Sequence, residues 1–251
     1  MTGYLALVER EVYRFIRLIN QTVAPPLITT VMYILIFGYS LGAHIKEIHG
    51  TAYILYIIPG LLQMSVITNA YANTSTSLFM ARLERSIENL LVAPLRPFQI
   101  VSSFLLGGLL RGLVVAGAII GGALLFLDLP FEHPGIIILS ILLTSFLFSG
   151  LGIISALFAE TWEKISIFTN FVITPFVYLG GVFYSVTMLP EPWKTISMIN
   201  PIFHCVDLVR YGFLGVSDAP VMQSLIIVTA MGLVIYALCI WLFWTGYKLV
   251  K

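Results

Sequence analysis

The stretch PGIIILSILLTSFLFSGLGIISALFA, residues 134–159, contains no charged side chain. As a helix rising about 1.5 Å per residue, it is long enough to cross the roughly 30 Å hydrocarbon core of a bilayer. It is about twice the length of a barrel strand and lacks strict alternation, so a helix is preferred. Five more runs read the same way: Thr22–Ala43, Thr51–Tyr71, Phe104–Leu127, Ile165–Tyr184 and Val221–Trp244. Hydrophobic residues make up 59% of the chain and charged residues 10%, against about 25% charged in a soluble domain. On a water-soluble protein that composition would expose outsized apolar patches. The expectation is an all-α membrane protein, a single transmembrane domain over residues 1–251 with six spans.

Loop charge gives the orientation. With the N-terminus cytoplasmic, the inner segments hold Arg10, Arg14, Arg17, Arg82, Arg85, Arg96, Lys164, Lys248 and Lys251. The outer segments hold Lys46, Lys194 and Arg210, and Arg111 lies within a span. This positive-inside bias, with an even number of spans, places both termini in the cytoplasm. A net charge of +1 argues against nucleic acid as a partner. Cys205 and Cys239 fall in different segments, with no metal or redox spacing. A cleaved signal peptide is not evident, because the first twenty residues are charged throughout.

Residues 3–20 read as an interfacial helix. Leu5, Val8, Val12, Phe15, Ile16 and Ile19 recur at helical spacing, and Arg10, Arg14 and Arg17 form a stripe on another face. The plainer alternative is a positive flank for the first span. Ala24-Pro25-Pro26 is expected to mark the break between the two helices. Pro59-Gly60 and Thr174-Pro175 permit kinks within spans, as gating points or as static packing features. In the third span Gly108 and Gly112 are four apart, as are Gly117 and Gly121. Small residues at that spacing predict close helix packing, within the subunit or across a dimer. Arg111 in the same stretch needs a carboxylate, carbonyls or water as partner, or else lies shallow and snorkels.

Two polar segments carry the functional expectation. Between spans two and three, the cytoplasmic segment Met80–Phe98 reads as carrying a short amphipathic helix set crosswise. Leu83, Ile87, Leu90 and Leu91 share one face, Glu84 and Glu88 another with Arg85 alongside, and Pro94 ends it. The alternative is an ordinary solvated loop helix. Between spans five and six, Ser185–Ala219 is long for a loop. Asn200-Pro201 is a helix start with Asn as cap, and Ile202, Phe203, Val206, Val209 and Phe213 follow at helical spacing. Asp207 and Arg210, three apart, are placed to pair, and Gly215 fits the stop. This extracytoplasmic helix is too short and too charged to cross; it reads as a re-entrant segment or a surface cap.

The run Glu84 to Leu95 resembles the coupling-helix signature of type-2 ABC transporter permeases, with an acidic and basic start, Leu90-Leu91, and Pro94-Leu95 at the close. Gly180-Gly181-Val182-Phe183, Leu189-Pro190, and Asn200-Pro201 with Asp207 and Arg210 are similar to that family's region between spans five and six. The layout agrees over essentially the whole chain, and the similarity is nearest to bacterial exporters of the nodulation-factor and daunorubicin type. The resemblance implies an inner-membrane permease that pairs with a second copy or a paralogue and binds two cytoplasmic ATPase subunits. Arg82, Glu84, Arg85, Glu88, Asn89, Leu90 and Leu91 would then sit in a groove of the ATPase. ATP and Mg would be held by that partner, with no cofactor on this chain, and membrane lipid would be the surrounding partner. Arg111 departs from the milder residue expected there.

No G-x-x-x-x-G-K-[ST], H-E-x-x-H or G-x-S-x-G occurs. His44, His49, His133 and His204 lie in or near outer segments without ligand spacing. An intramembrane enzyme would need paired catalytic groups at membrane depth. A secondary transporter would be expected to carry midplane carboxylates, whereas Glu160 and Glu163 fall at a span end. The reading is the transmembrane subunit of an ATP-driven exporter of an amphipathic, lipid-linked or glycan-type substrate, and the cargo itself is not written in the sequence.

Overall fold

The computed structural model describes residues 2–17, 19–41 and 47–249. Ala43, His44, Lys46 and Lys251 lie outside the described residues. Helix α1 spans Thr2–Arg17 and α2 Ile19–Tyr33, the latter continuing as wider π turns over Ile34–Leu41. A hairpin of β1 (Glu47–Ile48) and β2 (Thr51–Ala52) follows. His49 and Gly50 both have positive φ, 51° and 76°, the pair that a tight two-residue hairpin turn needs. Then come α3 (Tyr53–Leu83), α4 (Ser86–Val92), α5 (Pro97–Leu124) and α6 (Pro134–Phe158). The remaining helices are α7 (Trp162–Phe168), α8 (Thr174–Leu179), α9 (Trp193–Ile199), α10 (Pro201–Leu214) and α11 (Val221–Thr245).

Helix α3 is the axis of the bundle. It packs along α6 and α5, while α11 and α10 close over α6, and α1 and α2 lie against α5. Tyr56, Ile57, Leu61, Ile67, Leu147 and Phe148 belong to the shared apolar core. Gly108 and Gly112 bring α5 onto α6: a Cβ at these positions would stand 2.9 Å from Ser149 Cβ and 3.1 Å from Ser145 Cβ. Among the described residues, Gly117 and Gly121 have no such neighbour within 4 Å. The first glycine pair therefore serves packing inside the subunit, and the second leaves a smooth outer face.

Five helical stretches are long and apolar enough to cross a membrane: Ile19–Phe37, Tyr53–Leu83, Pro97–Leu124, Pro134–Phe158 and Val221–Thr245. The expected segment 165–184 is helical through Leu179 but mixed in character. Between α7 and α8, Thr169–Ile173 widens to π spacing. Pro175 has no N–H to give to the ladder, and Thr174 Oγ1 instead donates to Thr169 O, five residues back, at 3.0 Å. Pro25 and Pro26 do not mark the break between the first two helices. They lie inside α2, which runs on through both of them to Tyr33. Neighbouring groups at membrane depth make prolines tolerable within such helices.

Candidate functional site

At one end of the bundle α3 runs out at Leu83, and the chain turns through Glu84 and Arg85 into α4. Arg85 has φ 56°, a left-handed conformation that costs a non-glycine residue roughly 1–2 kcal/mol. The expected crosswise helix is thus shorter than the sequence suggested. Arg82 belongs to the last turn of α3, Glu84 and Arg85 form the corner, and Glu88, Asn89, Leu90 and Leu91 lie on α4. Glu84 and Glu88 therefore do not share one continuous helix. Ala93 is extended, as a residue before proline should be. Only Ile87 of α4 is buried, and Val92 is 87% exposed. A short helix with Leu91, Val92, Glu88 and Asn89 exposed is a protruding, mixed apolar and acidic ridge.

Arg82 ties this corner to α6. Its guanidinium donates to the carbonyls of Ala156 and Ala159, which the end of α6 leaves without helical partners. A cation there also suits the negative end of the helix dipole. A cavity of about 330 Å³ separates α4 from the α6–α7 turn, with Arg82, Glu88, Ala159 and Glu160 in its wall.

Two turns further along α3 lies a node that the sequence reading passed over. Glu11 of α1 is fully buried. Its Oε2 accepts from Ser77 Oγ at 2.7 Å and Arg14 Nη2 at 3.4 Å, and its Oε1 from Arg10 Nη2 at 3.1 Å. Arg14 also donates to the Asn73 carbonyl at 2.9 Å and to its Oδ1 at 3.1 Å. Gly107 lets α5 approach, since a Cβ there would be 3.1 Å from Glu11 Cβ. The interfacial face of α1 is thus split: Leu7, Glu11 and Phe15 face the bundle, and Leu5 and Ile16 remain exposed. Nearby, Arg111 Nη2 donates to Asn69 Oδ1 at 3.1 Å, so its partner is an amide and not a carboxylate.

Between these ends, Ser65, Thr68, Asn69 and Thr76 form a partly exposed polar stripe on α3. With Gln21, Thr29, Thr30 and Tyr33 of α2, the first three line an open cavity of about 240 Å³.

At the far end, α10 is buried almost throughout, packed against α6, α11 and α3. Asn200 caps it: Oδ1 accepts from Ile202 N at 2.9 Å, and Nδ2 donates to Phe176 O. Asp207 and Arg210 do not pair with each other. Arg210 donates to Gly181 O and lies 4.1 Å from the centre of the Tyr56 ring. Asp207 accepts from the backbone N–H groups of Asp218 at 2.7 Å and Ala219 at 3.4 Å. Three residues apart on a helix, each side chain reaches a different backbone partner, and those bonds displace the local ion pair. Burial pushes the Asp207 carboxyl up to about 6, with the two N–H groups and Arg210 pulling it back. Asp218 accepts from Ser185 Oγ at 2.7 Å and Val186 N at 2.9 Å, and His49 Nε2 stands 3.3 Å from its Oδ1. Gly60 permits close contact here, as a Cβ would lie 2.9 Å from Val182 Cα. His204 bonds Ser224 and the Met198 carbonyl, and His133 stacks on Tyr211. Among the described residues no His, Cys, Asp and Glu group is arranged to hold a metal. Cys205 and Cys239 are buried and free.

The whole arrangement is a membrane bundle with a presented ridge at one end and a tied-down helix at the other. A family model described as ABC-2 type transporter matches residues 2–214. The inner membrane transport permease YadH of Escherichia coli K12 is 41% identical over 230 residues, 92% of this chain and 90% of that protein. Nodulation protein J of Rhizobium leguminosarum bv. trifolii is 29% identical over 200 residues, 76% of this chain and 72% of that protein. The Bradyrhizobium diazoefficiens protein of the same name is 28% identical over 176 residues, 69% and 66% of the two chains.

Proposed function

The chain belongs to the ABC-2 type transporter family, and on that premise we propose that it is the membrane subunit of an ATP-driven exporter of an amphipathic, lipid-linked or glycan-type substrate. It is a transport permease, and ATP hydrolysis in this family resides in a separate subunit. In this reading two ATPase subunits, holding ATP and Mg, grip the exposed ridge of α4, and a second copy of the chain completes the complex in the bacterial inner membrane. The α7–α8 stretch, Trp162 to Leu179, crosses as a sixth span, and both termini lie in the cytoplasm. Helix α10 is the re-entrant segment at the outer face.

The observation that carries the reading is the α3–α4 corner. Helix α4 stands on a two-residue turn, and Arg82 ties that turn to the end of α6. Motion of α4 is thereby passed into the two helices that share the largest interface in the bundle. The same α3 reaches the outer end, where Tyr56 meets Arg210 and Gly60 meets Val182. The polar stripe of α3 supports a face turned toward a second copy and a hydrated pathway, since lipid rewards no exposed hydroxyl or amide there.

The test replaces Glu84 and Glu88 by Lys in the complex reconstituted with its ATPase. The ridge then changes from acidic to basic while Ile87, its packed residue, is untouched. Hydrolysis without transport is the expected result. Normal coupling, or no co-purifying ATPase in wild type, would remove this assignment.

A further inference from the structure

An open groove of about 620 Å³ runs between α1 and the α3–α4 corner. Arg10, Arg14, Arg17, Tyr13, Met80 and Glu84 line it, with Glu11 at its floor. Three guanidinium groups thus face two carboxylates, leaving one positive charge in excess. Glu11 is already committed to Arg10, Arg14 and Ser77. Exposed Arg17 makes no hydrogen bond or ion pair among the described residues, and the buried Nε of Arg14 has no partner either. Burial, followed by the neighbouring charge of Arg10, holds the Arg14 guanidinium below its ordinary range despite Glu11. The groove is therefore short of negative charge and of hydrogen-bond acceptors.

A phosphate supplies both, since guanidinium forks match its oxygens two at a time. Exposed Leu5 and Ile16 on α1 give the same helix an apolar surface for acyl chains. We propose that this groove binds a phosphate-bearing anion, with a monoanionic phosphodiester lipid headgroup as its source. The choice of lipid rests on reading α1 as interfacial; the charge count selects one negative charge over two.

The test uses the full chain, purified and delipidated in an uncharged detergent, without the ATPase. Phosphatidylglycerol, phosphatidylcholine and free glycerol phosphate are titrated separately, with binding read by native mass spectrometry and by the thermal unfolding midpoint. Phosphatidylglycerol is expected to bind saturably and raise the midpoint, and phosphatidylcholine to do neither. Arg17→Gln, at an exposed side chain, should weaken binding at least fivefold, with partial recovery in Arg17→Lys. Competition by glycerol phosphate that shows the same Arg17 dependence supports phosphate recognition. Binding of glycerol phosphate without the lipid would overturn the lipid source. Equal retention of phosphatidylglycerol by wild type, Arg17→Gln and Arg10→Gln would overturn the site. Because the ATPase is absent, failure here leaves the coupling assignment standing, and failure of coupling leaves this site standing.

Discussion

Adding one methyl group at Gly108 is expected to destabilise the subunit by about 1–3 kcal/mol, the usual range for overpacking a filled interior. A Cβ at Gly108 would stand 2.9 Å from Ser149 Cβ and 3.2 Å from Thr74 Cγ2, and it would overlap the Ser149 hydroxyl. Carbon atoms sit comfortably at about 3.5–4.0 Å, so the first contact is too close by roughly half an ångström or more. Rotating Ser149 moves Oγ but leaves Cβ in place, and it also gives up the 3.4 Å bond to Ala70 O. Relief therefore requires α5 and α6 to separate. Gly117→Ala is the control: nothing lies within 4 Å of that Cβ, and replacing a helical glycine gains up to about 1 kcal/mol. Thermal unfolding in detergent reads the difference. For a chain of this size 1 kcal/mol moves the midpoint by about 2–4 °C, so 2 kcal/mol lowers it by about 4–8 °C in Gly108→Ala. Adding Ser149→Gly removes the opposing atoms and should restore most of the loss. Equal shifts at Gly108 and Gly117, or no recovery in the double variant, would refute the contact as the reason for the glycine.

Replacing Glu11 by Ala removes the acceptor shared by Arg10, Arg14 and Ser77 while Arg14 keeps its bonds to Asn73, a loss of about 1–3 kcal/mol; limited proteolysis should then release α1 while the remaining bundle resists. Asn200→Ala removes the cap of α10 at about 1 kcal/mol and also the bond to Phe176 O; Asn200→Ser, which can still cap, should lose less in the same unfolding assay. Asp207, raised from 3.8 to about 6, favours its neutral form in the folded state. The folded protein then binds more protons than the unfolded one between those values, so its contribution falls as pH rises from about 4 to about 6 and is flat above. Asp207→Asn cannot titrate, and its stability relative to wild type should rise across that window by up to about 3 kcal/mol; a difference independent of pH would remove burial as the dominant influence on this carboxyl.

Hydropathy alone pointed to long apolar helices that overlap the five stretches, though not to their ends, because an uninterrupted apolar run needs no tertiary knowledge to be read. It overstated the regularity of residues 165–184, where the turn widens ahead of Pro175 and Thr174 bonds back to Thr169 without breaking the apolar character. Local chemistry was equally legible at Asn200-Pro201, since capping involves only adjacent residues. It failed at Asp207 and Arg210 because their partners, Asp218, Ala219, Gly181 and Tyr56, come from other segments. The two glycine pairs of α5 make the same point. Their spacing is identical, yet Gly108 and Gly112 meet α6 while Gly117 and Gly121 meet nothing, because the bundle turns only one of these faces inward.

The coupling corner was half legible for a related reason. The residues of Arg82 to Leu95 pointed to a handle, but a uniform helical wheel placed Arg82, Glu84 and Glu88 on one rod. The left-handed Arg85 turn divides that rod, and no residue type there announces it. Glu11 is different, for a signal was present. Leu7, Glu11 and Phe15 recur at four-residue steps and so share a face of α1 with two residues that bury. In a chain with so few charges, a carboxylate between two buried apolar side chains cannot face lipid without a large penalty. It must be paired, and Arg10 and Arg14 at one and three residues' distance are the cations within reach. Treating charges on an apolar helical face as evidence for a protein partner, rather than as noise in an amphipathic pattern, would have placed α1 against the bundle from the sequence itself.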